Sequence, residues 1–157
     1  MKDLEHLLRE HPFASGLPSA ALSLLVGCAS NVQYEPGEYL FRTGEPADRF
    51  FILRHGEVAV EVYAAGRGRI TIETAGEGDV LGWSWLVPPH RWLFDGRAIT
   101  LTRAIALDGA CLRAKCEANH DLGYELLKRV THVMAERLTS ARLQVLDLYG
   151  DGSGDVV

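Results

Sequence analysis

Between Val32 and Leu107 the sequence repeats one texture: short apolar runs of period two, each closed by a turn that carries glycine or proline. The runs at 39–41, 50–53, 58–63, 70–73 and 99–101 are strand-like, because period two places alternate side chains on one face of a pleated strand. Between them lie Pro36-Gly37, Gly44-Glu45-Pro46, Gly56, Gly66 to Gly68 and Gly76-Glu77-Gly78, residue types that let a chain reverse. Short strands at this spacing restrict the stretch to an antiparallel sandwich or barrel, and about eight of them make a jelly roll.

Helices are expected on both sides. Leu4, Leu7 and Leu8 share one helical face until His11-Pro12 interrupts it, since the residue before proline is pushed out of the helical region. Pro18 suits the first turn of a second helix through Leu22, Leu25 and Val26. After the strands, Asp108 is placed to cap a short helix through Cys111, Leu112 and Cys116. A long helix then starts near Asn119 and is expected to end about Tyr149, where Gly150 opens a glycine-rich tail. The expected organisation is a helical segment (1–31), a jelly roll (32–107), a short hinge helix with a long dimerisation helix (108–149) and a disordered tail (150–157). The fold class is α+β, mainly β.

The long helix carries Tyr124, Leu127, Thr131, Met134, Leu138, Ala141, Val145 and Leu148 at alternating steps of three and four, the seam of a coiled coil. A second stripe of Leu122, Leu126, Val130 and Val133 is free to pack on the β core. A helix of about 28 residues is near 42 Å long and outreaches a domain this small, so a homodimer through the first stripe is expected. The charge pairs of Glu125 with Lys128 and Arg129 read as solvated support.

The 157 residues hold 16 Lys plus Arg against 21 Asp plus Glu, a net charge of -5, which argues against a general nucleic-acid or anionic-membrane binder. The start of the chain is charged, and the longest mainly apolar stretch, 20–29, is far short of the roughly 20 residues of a membrane span. A cytoplasmic protein is expected. Cys28, Cys111 and Cys116 are an odd set without a CxxC pair and read as buried, reduced thiols.

Pro36-Gly37-Glu38-Tyr39-Leu40-Phe41-Arg42-Thr43-Gly44-Glu45-Pro46-Ala47-Asp48, followed by Phe50-Phe51-Ile52-Leu53-Arg54-His55-Gly56-Glu57-Val58, resembles the cyclic nucleotide-binding domain family. The order of helix, eight-stranded roll, short helix and long helix is similar to catabolite-activator-type, Crp/Fnr-like regulators. The resemblance implies a phosphate cassette after a late strand: a Gly-Glu pair whose acid accepts a ribose hydroxyl, then an arginine that holds the cyclic phosphate with backbone N–H groups.

The matching stretch here is 78–98. Gly82 agrees with the family, but Trp83 stands where the glutamate is expected. Counting back from Asp108 puts Trp92 at the phosphate-arginine position and leaves Arg91 one residue off. A local match of Arg97-Ala98-Ile99-Thr100 makes Arg97 the phosphate ligand instead, at the expense of too short a last strand. The first register is preferred. Trp83, Trp85 and Trp92, all the tryptophans of the chain, fall within ten residues. Either they line a pocket that stacks a flat ligand, with Ser84, Arg91 and cassette N–H groups as polar contacts, or they fill the space a nucleotide would take.

The candidate ligand residues are therefore Gly82, Trp83, Ser84, Trp85, Arg91, Trp92 and Arg97, for a cyclic nucleotide such as cAMP or a related flat anion. Ordinary cAMP binding is disfavoured. An indole has no acceptor for a ribose hydroxyl, and a lost charge-assisted phosphate contact costs about 1.5–3 kcal/mol.

No catalytic residues are assigned, since nucleophile-elbow and P-loop motifs are missing. A metal site is not expected either: His55 and His90 are isolated, His6, His11, His120 and His132 read as surface residues, and Cys111 with Cys116 makes a poor chelate. Residues 150–157 are too few for a recognition helix, so DNA reading by this chain is not expected. The leading expectation is a non-enzymatic homodimeric sensor or regulatory module. Its occupancy at 82–92 would bias the hinge helix, and the long helix would pass that bias to its dimer partner or to a target protein. The alternatives are a ligand-free dimeric scaffold or interaction subunit with a self-filled pocket and, more weakly, a cupin-like enzyme.

Overall fold

A computed structural model describes residues 3–154, with side chains described through residue 148. Two short helices come first, α1 (Leu4–Glu10) and α2 (Ser19–Val26). Asp3 caps α1 by accepting from the backbone N–H of His6 at 2.8 Å. Eight strands follow: β1 (Ala29–Tyr34), β2 (Tyr39–Phe41), β3 (Arg49–His55), β4 (Val58–Ala64), β5 (Gly68–Ala75), β6 (Val80–Leu81), β7 (Asp95–Ala98) and β8 (Thr102–Asp108). They form two four-stranded antiparallel sheets in the orders β1-β8-β3-β6 and β2-β7-β4-β5, the jelly-roll arrangement expected from the sequence. Period two explains the inside: Phe51 and Leu53 of β3, Val58 and Val60 of β4, and Ala104 and Ala106 of β8 enter one core cluster.

Two helices close the described chain, α3 (Gly109–Ala118) and α4 (His120–Gly154). The Asp108 carboxylate accepts from the Cys111 backbone N–H at 2.7 Å, as its capping position predicts. The chain divides into two compact units, one ending at Gly123 and the other beginning at Tyr124. In the second unit Leu126 and Val130 are buried, whereas Tyr124, Leu127, Met134, Leu138, Val145 and Leu148 are exposed.

Several expectations need correction. Residues 99–101 are not a strand: Ile99 leaves β7 and the chain turns through Thr100, whose hydroxyl accepts from the Glu57 N–H at 3.0 Å, before β8 starts at Thr102. The apolar alternation there belongs to a corner. The first strand begins at Ala29 rather than Val32, and α4 continues through Gly154, past the expected end at Tyr149. The rest of the expected tail, 155–157, lies outside the described residues.

His11 is buried, not on the surface. Its Nδ1 accepts from the Phe13 N–H at 3.1 Å, which leaves the proton on Nε2 to be donated to the Leu53 carbonyl at 2.9 Å. Cys28 and Cys111 are joined in a disulfide, with Cα atoms 5.6 Å apart, and Cys116 alone is free. Sequence spacing could not foresee this bond, because the partners are 83 residues apart and meet only once β8 has returned beside β1.

Candidate functional site

The segment between β6 and β7 is where the sequence concentrates its indoles. β6 ends at Leu81, and Gly82 turns the chain with φ of 92°, in the left-handed region where a side chain is strained. A Cβ built on Gly82 would also lie 2.5 Å from ring carbons of Trp92, so this position is glycine for two independent reasons. A single 3-10 turn, Trp83–Trp85, follows.

Further along, backbone hydrogen bonds lace residues 90–92 to the loop between β2 and β3. The Ala47 N–H donates to the His90 carbonyl at 2.7 Å, the Trp92 N–H to the Glu45 carbonyl at 3.0 Å, and the Gly44 N–H to the Trp92 carbonyl at 2.8 Å. His90 takes a φ of +60° where this lacing starts. The consequence is an alternation: Arg91 points outward and donates to the Gly44 carbonyl at 2.9 Å, while Trp92 points into the roll. Its indole is 5% exposed, stacked on Phe41 with centroids 4.1 Å apart and 15° between planes, and it joins Phe51 at 6.3 Å. Trp92 is a core residue.

Trp85 is also core, 1% exposed, beside Phe50 and against Gly109 at the start of α3. Its Nε1 has no hydrogen-bond partner among the described residues. Its carbonyl accepts from the Arg113 guanidinium of α3 at 2.5 Å. Trp83 and Ser84 are half-buried in the 3-10 turn.

Arg97 lies elsewhere. It leaves β7 beside Glu61 of β4, with Nε and Nη2 each 3.0 Å from a carboxylate oxygen, a bidentate pair whose acid is almost fully buried. Hydrogen bonding and the opposite charge of Glu61 hold the Arg97 guanidinium above its ordinary pKa. Gly96, next to it, would drive a Cβ to 2.5 Å from the Phe41 ring, so Gly96 faces the interior and Arg97 the opposite face of the sheet. The structure thus brings Gly82 and Trp92 together in the interior, and it does not bring Arg91 or Arg97 to them.

Sequence reading missed Phe41 as the partner of Trp92 and Glu61 as the partner of Arg97. Glu61 did leave a signal, a lone acid in the apolar run 58–63. A solvent-open groove of about 560 Å³ lined by Arg42, Thr43, Glu45, Tyr63, Leu93 and Asp95 was also missed, because its residues come from three separate segments. Among the described residues no three His, Cys, Asp or Glu side chains are placed to hold a metal ion, and no helix is long and apolar enough to cross a membrane.

Comparison with known proteins agrees with this architecture. The family model described as the cyclic nucleotide-binding domain matches residues 31–119. A CRP-like cAMP-activated global transcriptional regulator of Mycobacterium tuberculosis is 24% identical over 145 residues, covering 92% of this chain and 63% of the regulator. The chain therefore spans under two thirds of that relative. A cyclic nucleotide-binding domain from Methylobacillus flagellatus superimposes with a TM-score of 0.77 at 18% identity, over 90% of this chain and 79% of that one. The regulatory subunit of a cAMP-independent protein kinase A from Trypanosoma brucei does so with a TM-score of 0.65 at 25% identity, over 80% and 45%. The chain belongs to the cyclic nucleotide-binding domain family.

Proposed function

We propose that this chain is a regulatory module whose cassette is closed by its own Trp92, and that it works through α3 and α4 without the arginine–glutamate cradle for a cyclic nucleotide. The observation that carries this reading is the burial of Trp92 against Phe41 and Gly82. A purine nucleotide placed there would have to displace an indole whose removal from the core costs about 3–5 kcal/mol. Arg97 offers no compensation, since its Nε and Nη2 are paired with Glu61 on the other face of the sheet. The kinase relative described as cAMP-independent is a precedent for the fold serving regulation without cAMP.

The output side has its own support. Trp85 and Gly109 pack together, and Arg113 of α3 ties to the Trp85 carbonyl, so a change in the cassette is felt at α3 directly. The exposed stripe Tyr124, Leu127, Met134, Leu138, Ala141, Val145 and Leu148 suits a second copy of the same helix. We assign it to a homodimer.

Titration with cAMP, cGMP and linear nucleotides, followed by tryptophan fluorescence and melting temperature, tests the closed cassette. No saturable response at millimolar nucleotide is expected. Saturation in the micromolar range with a rise in melting temperature overturns the reading, because ligand that binds only the folded state must stabilise it.

A further inference from the structure

The disulfide between Cys28 and Cys111 has no part in the cassette chemistry described so far. We propose that it is a reversible thiol–disulfide site, exchanging with a dithiol or with glutathione-type thiols, that latches α3 to the junction between α2 and β1. The bond crosses from that junction to the first turn of α3. Non-covalent ties accompany it on the same side: the Asp108 N–H donates to the Cys28 carbonyl at 2.9 Å, and the Lys115 ammonium to the Leu24 carbonyl at 2.6 Å. On its other flank α3 is held through Arg113 to Trp85 and through the Gly109 N–H to the Asp48 carbonyl at 2.8 Å. One helix is thus gripped from two sides, and a covalent bond secures only one of them.

Neither cysteine belongs to the ladder that closes the roll: Cys28 precedes β1 and Cys111 follows β8. Opening the bond therefore frees α3 without unpairing a strand. Access is unequal, since Cys28 is buried and Cys111 is partly exposed, which directs an incoming thiolate to the Cys111 sulfur. That attack forms a mixed disulfide at Cys111 and releases the Cys28 sulfur, which takes a proton. A second thiol of the reductant then displaces Cys111, leaving two protein thiols and one oxidised dithiol, a balanced transfer of two electrons and two protons. Cys116, on the same helix, is a built-in control: burial pushes its thiol pKa up and so lowers its reactivity.

The inference rests on α3 as the output element only for its consequence; the thiol chemistry stands independently of whether Trp92 closes the cassette. The full chain is equilibrated with stepped ratios of reduced and oxidised glutathione, trapped by alkylation, and its amide exchange compared at each step. Cys28 and Cys111 are expected to become alkylated together at intermediate ratios. Amides of 109–118 are expected to exchange at least tenfold faster on reduction, a larger acceleration than that of β3 and β8.

The Cys28→Ser, Cys111→Ser double variant should show the fast exchange in every buffer, and Cys116→Ser should behave as the parent. A bond that never forms, or never opens, across the ratios overturns the exchange site. Reduction that leaves α3 protected, or that speeds exchange in the strands equally, overturns the latch. Nucleotide saturation in the fluorescence titration would instead remove the closed cassette and leave the thiol result standing.

Discussion

Trp92 and Gly82 define each other: the glycine is needed because the indole is there, and the indole fits because no Cβ opposes it. Trp92→Ala should lower unfolding stability by about 3–5 kcal/mol in urea titration, the cost of emptying a large aromatic site in a packed core. Gly82→Ala should destabilise as well, through its left-handed φ and the collision, and combining it with Trp92→Leu should recover part of the loss; equal losses with and without Trp92→Leu would assign the whole effect to the backbone. His11 makes stability depend on pH in a direction the structure fixes. Burial disfavours its imidazolium and lowers its pKa from 6.5. As pH falls from about 6.5 toward the folded value, the unfolded chain binds a proton that the folded chain refuses, so stability drops by up to about 1.4 kcal/mol per pH unit and levels off below. Denaturation midpoints between pH 7 and 5 should fall less steeply in His11→Gln, at whatever absolute stability that variant has.

Strands were legible wherever alternation met a glycine turn, as in β2, β3 and β4, because burial on one face is a local property of the sequence. The run 99–101 misled for the same reason, since an apolar corner and a short strand look alike without the partner strand. The cassette was legible in part. Counting back from Asp108 put Trp92 at the phosphate-arginine position of the family, but only the lacing of 90–92 to 44–47 decides that the indole faces inward while Arg91 faces out. Asp108 itself was readable because capping is local. Asp108→Ala should cost about 1 kcal/mol, and amide exchange should place the loosening at the first turn of α3. The pairing of Cys28 with Cys111 was hidden, being a product of β1 lying beside β8. Reduction should lower global stability by up to about 4–5 kcal/mol if loop entropy alone acts, a bound that denaturation with and without reductant measures.

For the molecule as a whole, the seam on α4 makes mass the deciding quantity. Light scattering should return twice the chain mass, and Leu138→Glu, which sets like charges in the middle of the apolar seam, should return the single chain with the roll still folded by circular dichroism. A parent chain that scatters as a monomer would leave α4 for a different partner. The net charge of -5 sets no barrier to this pairing at physiological ionic strength, where charges beyond about 8 Å are largely screened.

The unbonded Nε1 of Trp85, sealed between Phe50 and the first residue of α3, gives the chain an optical gauge of its own. An indole in dry surroundings emits to the blue, and water reaching it shifts that emission to the red. With Trp83 and Trp92 replaced by phenylalanine, the colour of its emission should therefore report whether the helix behind it has loosened, without a dye or a label.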